Sequence, residues 1–234
     1  MKADRPISET HRRRIIDAAS HLLAEGGREA VSTRAVSDAA GVQPPVIYRL
    51  FGDKQGLLDA VMTQGLSAYV GGKAKQQTTV DPIDDLRSGW DQHVEFGLAH
   101  PALYALIYGE LRPGAPPPAA LAGFEMLAAK IRRIAEAGRL RVDEERAARL
   151  IHAAGSGVTL TLIAMPEESR DMTLSELGRE AVIAAITTGD SVAAEPGLVG
   201  AAVTLRAALP QTSALTTHEK ALLQEWLERI ARSN

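Results

Sequence analysis

Cysteine is absent from the 234 residues, which excludes disulfides, thiolate zinc sites and cysteine nucleophiles together. Aromatic residues are scarce, with two Trp, four Tyr and three Phe. No run approaches the roughly 18 apolar residues needed to cross a bilayer, and the opening MKADRPISETHRRR offers no apolar stretch for a signal peptide. A cytoplasmic protein without a membrane partner is therefore expected. The sequence has no phosphate loop, no dinucleotide fingerprint and no His pair at metal-ligand spacing, so neither cofactor nor metal is expected. Alternating apolar and polar runs bounded by turn signals are also missing, which removes the basis for a sheet.

What is present is helical spacing along most of a chain that is 45% hydrophobic and 24% charged, ordinary values for a folded globular protein. The net charge of −3 is unevenly spread. Residues 1–56 hold nine Lys/Arg against seven Asp/Glu, whereas the remainder holds 17 against 22. A mildly basic head thus precedes an acidic body.

The fold class expected is all-α. A first helix runs from Ser8, as N-cap, to Glu25, with Ile15, Ala19 and Leu22 on one face and Gly26-Gly27 as its stop. Ser32 or Thr33 caps a short second helix that ends at Gly41. The stretch GVQPPVIYRL follows, and its two prolines would break a helix interior. At the first two helical positions they cost nothing, because those N–H groups have no intrahelical partner and the fixed φ suits the helix. With Gln43 as N-cap, a third short helix starts at Pro44 and ends near Leu50 before Gly52-Asp53.

Two short helices about a glycine turn have the layout of a helix-turn-helix. Val36, Ala40, Val42, Ile47 and Phe51 are expected inside it, with Ser37 permitting close approach. In that geometry the second short helix meets the major groove with its N-terminal residues. Gln43 can address a base edge, Val46 or the proline rings can lie on a thymine methyl, and Arg49 can reach a base or phosphate.

Asp53 caps a long fourth helix with a stripe of Leu57, Leu58, Val61, Met62, Leu66 and Tyr69, closed by GGKAKQQTT. Further helices are expected from Asp81-Pro82 to before Pro101, over ALYALIYG, and over 118–137, 143–164, 173–188 and 198–209. A last helix has an apolar face of Leu222, Leu223, Trp226, Leu227 and Ile230. Capping boxes are read at Thr173-x-x-Glu176 and Thr216-x-x-Glu219.

The segment TRAVSDAAGVQPPVIYRLFGDKQGLLDAV, residues 33–61, resembles the DNA-binding signature of the TetR (tetracycline-repressor-like) family of bacterial transcriptional regulators. A Thr-initiated helix, Ala-Gly-Val at the turn, Tyr-Arg-x-Phe, and a Lys before a long apolar helix occur in order, and the likeness covers roughly residues 8–65. The resemblance implies phosphate contacts from Thr33, Tyr48 and Lys54, with Arg34 also at the DNA, and a groove lined by Gln43, Pro44, Pro45, Val46 and Arg49. Relatives often carry a Lys or polar residue and then Gly or Ala where this chain has Pro44-Pro45, and a His where it has Leu50. The resemblance further implies a homodimer on a palindromic operator in double-stranded DNA, released by a small-molecule effector. Its division of the chain is a helix-turn-helix domain over 1–53 and a larger all-helical effector-binding and dimerisation domain over 54–234.

Five of the nine aromatics lie between residues 90 and 124. Trp90, His93, Phe96, Tyr104, Phe124 and His152 are the candidate effector-site residues, with core packing as the alternative use of the same side chains. Small Gly155, Ser156 and Gly157 make the 143–164 helix the first candidate for a dimer interface. The 173–188 helix is second, and the final helix competes with it. An all-helical enzyme or a protein-interaction domain is the competing reading. His152 and Ser156 lie four apart, but no nucleophile elbow or supporting acid accompanies them, so no catalytic residue is assigned.

Overall fold

The computed structural model describes residues 4–73, 81–109, 115–188 and 198–232. Its helices are α1 (Asp4–Ala30), α2 (Thr33–Ala40), α3 (Pro44–Phe51), α4 (Lys54–Lys73), α5 (Pro82–Ala99), α6 (Pro101–Tyr108), α7 (Pro118–Glu136), α8 (Glu144–Ala164), α9 (Thr173–Ile186), α10 (Leu198–Ala208) and α11 (Thr217–Arg232). Among the described residues there is no strand, only an isolated antiparallel bridge between Leu140 and Thr187. The chain is all-α. Most of the GGKAKQQTT segment, and residues 110–114 of the proline-rich loop, lie outside the described residues.

The helices fall into two compact units, one of residues 1–77 and 96–122, the other of 78–95 and 123–234. The first is larger than the 1–53 reading module, because α4 and α6 both pack on α1. In α1, Ile15, Ile16, Ala19 and Leu23 are buried, so the inward stripe runs through Leu23 while Leu22 is half-exposed. The helix also begins earlier than Ser8. Its expected break is real: Gly27 sits at φ 65°, ψ −164°, a backbone region that L side chains avoid. Against α1 pack Val36, Ala40 and Ile47, then Leu57, Leu58, Val61 and Met62 of α4. Val42 and Phe51 are only half-buried rather than inside.

Helical register survives Pro101. His100 N–H donates to the Phe96 carbonyl and Tyr104 N–H to the His100 carbonyl, both at 2.9 Å. Phe96 therefore lies near Tyr104, at 6.2 Å between ring centres, and near Tyr69 of α4 at 4.8 Å.

In the second unit, the buried Asp85 carboxylate is met by Lys130 Nζ at 2.9 Å and Arg133 Nη1 at 2.6 Å. A buried carboxylate held by two cations from the facing helix pins α5 to α7. Trp90 Nε1 donates to the buried Ser175 Oγ at 3.0 Å, and Arg87 reaches Glu180 at 2.9 Å, so α5 is pinned to α9 as well. Gly155 permits Trp90 to lie against α8, where an added Cβ would sit 3.5 Å from the ring.

By length and a mean hydropathy of 1.3, Glu144–Ala164 is the one described helix apolar enough to cross a membrane. Its Ala147, Ile151, Gly155, Thr159 and Leu162 are buried inside this unit.

The α10 and α11 hairpin closes over Ala202, Leu209 and Leu227, with Leu215, Leu223 and Ile230 packed alongside. Leu222 and Trp226, expected on the same apolar face, are exposed. The capping box of α11 forms: Thr216 N–H donates to Glu219 Oε2 at 2.8 Å and Glu219 N–H to Thr216 Oγ1 at 3.3 Å. The one read at Thr173 does not, because Asp171 one turn-residue earlier already accepts the Thr173 N–H at 2.9 Å.

Candidate nucleic-acid interface

Helix α2 starts on Ser32, whose Oγ accepts the Ala35 N–H at 3.1 Å. It ends on Gly41 in the left-handed region, φ 61°, ψ 42°. The reversal lets Val42 N–H return to the Ser37 carbonyl at 3.0 Å, closing the helix end as glycine-capped ends do. Arg14 of α1 adds a clamp, its Nη2 donating to the Ala40 carbonyl at 2.5 Å. A guanidinium on the last carbonyls of a helix also meets the negative end of the helix dipole.

Helix α3 leaves this turn at Gln43, in extended backbone with φ −80°, ψ 144°, and Pro44 and Pro45 fill its first two positions. Ile47, 1% exposed, anchors the helix to the core. One anchor in a single short helix leaves the rest of its surface outward. Gln43, Pro44, Pro45, Tyr48 and Arg49 are exposed, and Val46 is half-buried. Arg12 of α1 lies over the Phe51 ring at 4.8 Å from its centre, a cation–π contact that holds the end of α3. Asp53 then caps α4, accepting the Gly56 N–H at 2.7 Å.

Thr33 and Lys54 are half-buried and Arg34 is exposed. Neither α2 nor α3 carries an acid in its first turn, whereas α5, α8, α9 and α11 all do. Lys54 opens α4, where a cation opposes the helix dipole. The side chains of Gln43, Tyr48, Arg49, Arg34 and Lys54 make no hydrogen bond or ion pair with any described residue. Positive helix ends without acids, an unfavourably placed lysine and uncommitted donors on the same three helices form a surface suited to an anion with base edges. The clamps from Arg12 and Arg14 were not singled out from the sequence. The only signal for them was the Arg12-Arg13-Arg14 run, which read as general basic charge.

Three short helices with a left-handed glycine turn and an outward-facing second short helix define a helix-turn-helix DNA-binding module. Residues 15–61 match the family described as bacterial regulatory proteins, tetR family, and the chain carries the DNA-binding domain of that family. The uncharacterised HTH-type transcriptional regulator YvkB of Bacillus subtilis (strain 168) is 38% identical over 74 residues, 32% of this chain and 38% of that protein. The HTH-type transcriptional repressor BdcR of Escherichia coli (strain K12) is 41% identical over 59 residues, 25% of this chain and 28% of that one. The match thus spans little more than a third of either curated relative. SmeT, the repressor of the Stenotrophomonas maltophilia multidrug efflux pump SmeDEF, superposes with a TM-score of 0.57 at 23% identity, covering 80% of this chain and 94% of SmeT. The likeness extends the family's all-helical fold beyond the matched head.

The six candidate effector residues divide between the units. Phe96 and Tyr104 are buried in the first. Trp90, His93, Phe124 and His152 belong to the second. There Gly155 adjoins both Trp90 and His93, and Phe124 meets His152 edge-on at 5.9 Å. Among the described residues no group of three or more His, Asp or Glu is placed to hold a metal.

Burial, helped by the neighbouring His152, lowers His93 to about 4. An unfolded histidine titrates near 6.5, so below that pH the unfolded chain takes a proton that the folded one refuses. Stability contributed by the neutral ring is therefore complete above pH 6.5 and falls as the pH drops toward 4, by about 3 kcal/mol. Urea unfolding midpoints at pH 7 and at pH 4.5 should show this loss, and His93→Gln should remove most of it. An identical acid slope in the variant would assign the loss to other groups.

Proposed function

We propose that the chain is a ligand-responsive bacterial transcriptional regulator, acting as a repressor. It binds a palindromic operator as a homodimer and is released by a small-molecule effector in the helical body. The observation that carries this reading is the cluster of uncommitted donors around α3 on a family-matched head. Thr33, Arg34, Tyr48 and Lys54 take phosphates and fix register, while Gln43, Arg49 and the Pro44-Pro45-Val46 surface read bases. One head reads few base pairs, and two related by a dyad read half-sites about one helical turn apart. Repressor action is supported by the BdcR and SmeT descriptions, and a cytoplasmic location follows from access to DNA.

Effector release is a population shift. The ligand favours a state in which the heads no longer match successive grooves, and its preference between states must amount to a few kcal/mol. Trp90, His93, Phe124 and His152 in one unit, with Phe96 and Tyr104 in the other, remain our proposal for side chains that respond to it. Gel retardation of DNA from upstream of the protein's own gene tests the reading. A folded dimer that retards no upstream fragment would support the enzyme or interaction-protein alternative.

The proline pair makes a separate prediction. Pro44 and Pro45 have no N–H, so the leading edge of α3 offers apolar rings rather than backbone donors. Apolar groups distinguish thymine by its C5-methyl. Replacing half-site thymines by uracil should weaken binding about tenfold at the position facing these rings, within the 1–3 kcal/mol of one base contact. Pro44→Ala with Pro45→Ala should erase the difference. Equal affinity for both duplexes at every position would remove the prolines from base reading.

A further inference from the structure

We propose a second small-molecule site in the second unit, between α7, the start of α8 and the α10–α11 hairpin, for an organic monocarboxylate with an apolar body. A cavity of about 400 Å³ lies there, within the size range of small-molecule pockets. Its apolar wall is Phe124, Ala128, Ala148 and Pro210, and its polar wall includes Arg132, Arg206 and Glu144.

The polar groups around it are unequally satisfied. Asp143 accepts the Arg146 N–H at 2.9 Å as the cap of α8. Glu145 accepts from Arg149 at 2.6 Å, and Arg232 donates to Glu228 at 2.5 Å. Arg206, whose side chain is only 17% exposed, has Glu144 at 3.7 Å as its nearest acid. Arg132 has Glu136 at 3.8 Å and Glu144 at 4.0 Å. All three separations exceed the 2.7–3.2 Å of an N–H···O bond. Two guanidinium groups thus share one carboxylate, Glu144, at ion-pair rather than hydrogen-bond range, leaving a local excess of one positive charge and most of ten N–H donors.

The matching ligand is an acceptor with a single negative charge. A carboxylate suits it because guanidinium forks bind its two oxygens side by side. Glu144 would repel a second charge. The ligand's body would lie on Phe124, whose ring contacts His152. Phe124 is the one residue this site shares with the proposed effector set, and the site does not depend on DNA binding or on effector release.

Isothermal titration calorimetry of the full chain with sodium phenylacetate tests it. Phenylacetate should bind in the millimolar range, as about 10 heavy atoms at about 0.3 kcal/mol each imply. Acetate, which has the charge without the ring, should bind at least about tenfold more weakly. Phenylacetamide and phenethylamine should give no heat. Arg206→Gln should weaken phenylacetate about tenfold, and Arg132→Gln with Arg206→Gln should abolish binding, while the exposed Arg149→Gln leaves it unchanged. No heat from phenylacetate at tens of millimolar overturns the proposal, as does undiminished binding to the folded double variant. If that variant fails to fold, the wild-type series still decides, because equal binding of phenylacetamide would show that no carboxylate is recognised.

Discussion

Tyr48→Ala and Lys54→Ala should each weaken operator binding about a hundredfold while leaving helical content and dimer mass unchanged. Each removes one donor to a charged acceptor, worth about 1.5 kcal/mol, and a two-headed complex loses it twice. Neither side chain bonds a described residue, and Tyr48 is 52% exposed, so the folded head loses little. Binding by the parent protein should also fall about a thousandfold between about 50 and 200 mM salt, the dependence expected when several phosphates are neutralised and their counterions released. In Lys54→Ala the salt slope should be shallower, because a cation has gone, whereas Tyr48→Ala should keep the parent slope. Fluorescence anisotropy across a salt series reads both quantities. A salt-independent affinity, or equal slopes in all three proteins, would mean that α3 and the start of α4 do not face the phosphates.

Much of the head was legible in the sequence because its signals are local. Gly41 at a positive φ, Gln43 before two prolines, and Asp53 as the cap of α4 each act within a few residues, so spacing alone locates them. Tertiary choices were less legible. Leu22 and Leu23 are equally apolar, and only the packing of α2, α3 and α4 on α1 selects Leu23. Asp171 and Thr173 both offer oxygen to the first turn of α9, and the loop before it selects Asp171. Among the aromatics, four-residue spacing rightly linked Phe96, His100 and Tyr104. The grouping of Trp90 with Ser175 and Gly155 depends on contacts 65 or more residues away in sequence, for which the chain gives no local cue. The Arg132, Arg206 and Glu144 arrangement is likewise a product of three separate helices.

The largest structural effect is expected at the α8 and α9 surface. The small residues of α8 serve two directions: Gly155 faces inward against Trp90 and His93, while an added Cβ on Gly157 would meet nothing within 4 Å. On the outer row Leu150, Ala153, Gly157 and Thr161 are exposed, as are Leu177, Ala181 and Ala184 on α9, with Leu177 66% exposed. Spacings of three and four put each row on one helix face. Two copies meeting across these rows would make a four-helix interface, with the glycine and alanines admitting close approach. A stable dimer needs roughly 800 Å² covered on each partner. We therefore expect Leu177→Arg to give a folded monomer in sedimentation, since an exposed substitution changes subunit stability by about 0.5 kcal/mol or less. Operator affinity should fall more than about a hundredfold in the same variant, because two linked heads gain that factor from effective concentration alone. Trp226→Ala, on the exposed face of α11, should leave the dimer intact. The reverse outcome, a monomer from Trp226→Ala and a dimer from Leu177→Arg, would move the interface to the final helix. In either case the subunit contact, rather than the chemistry of α3, would set how tightly a palindrome is held.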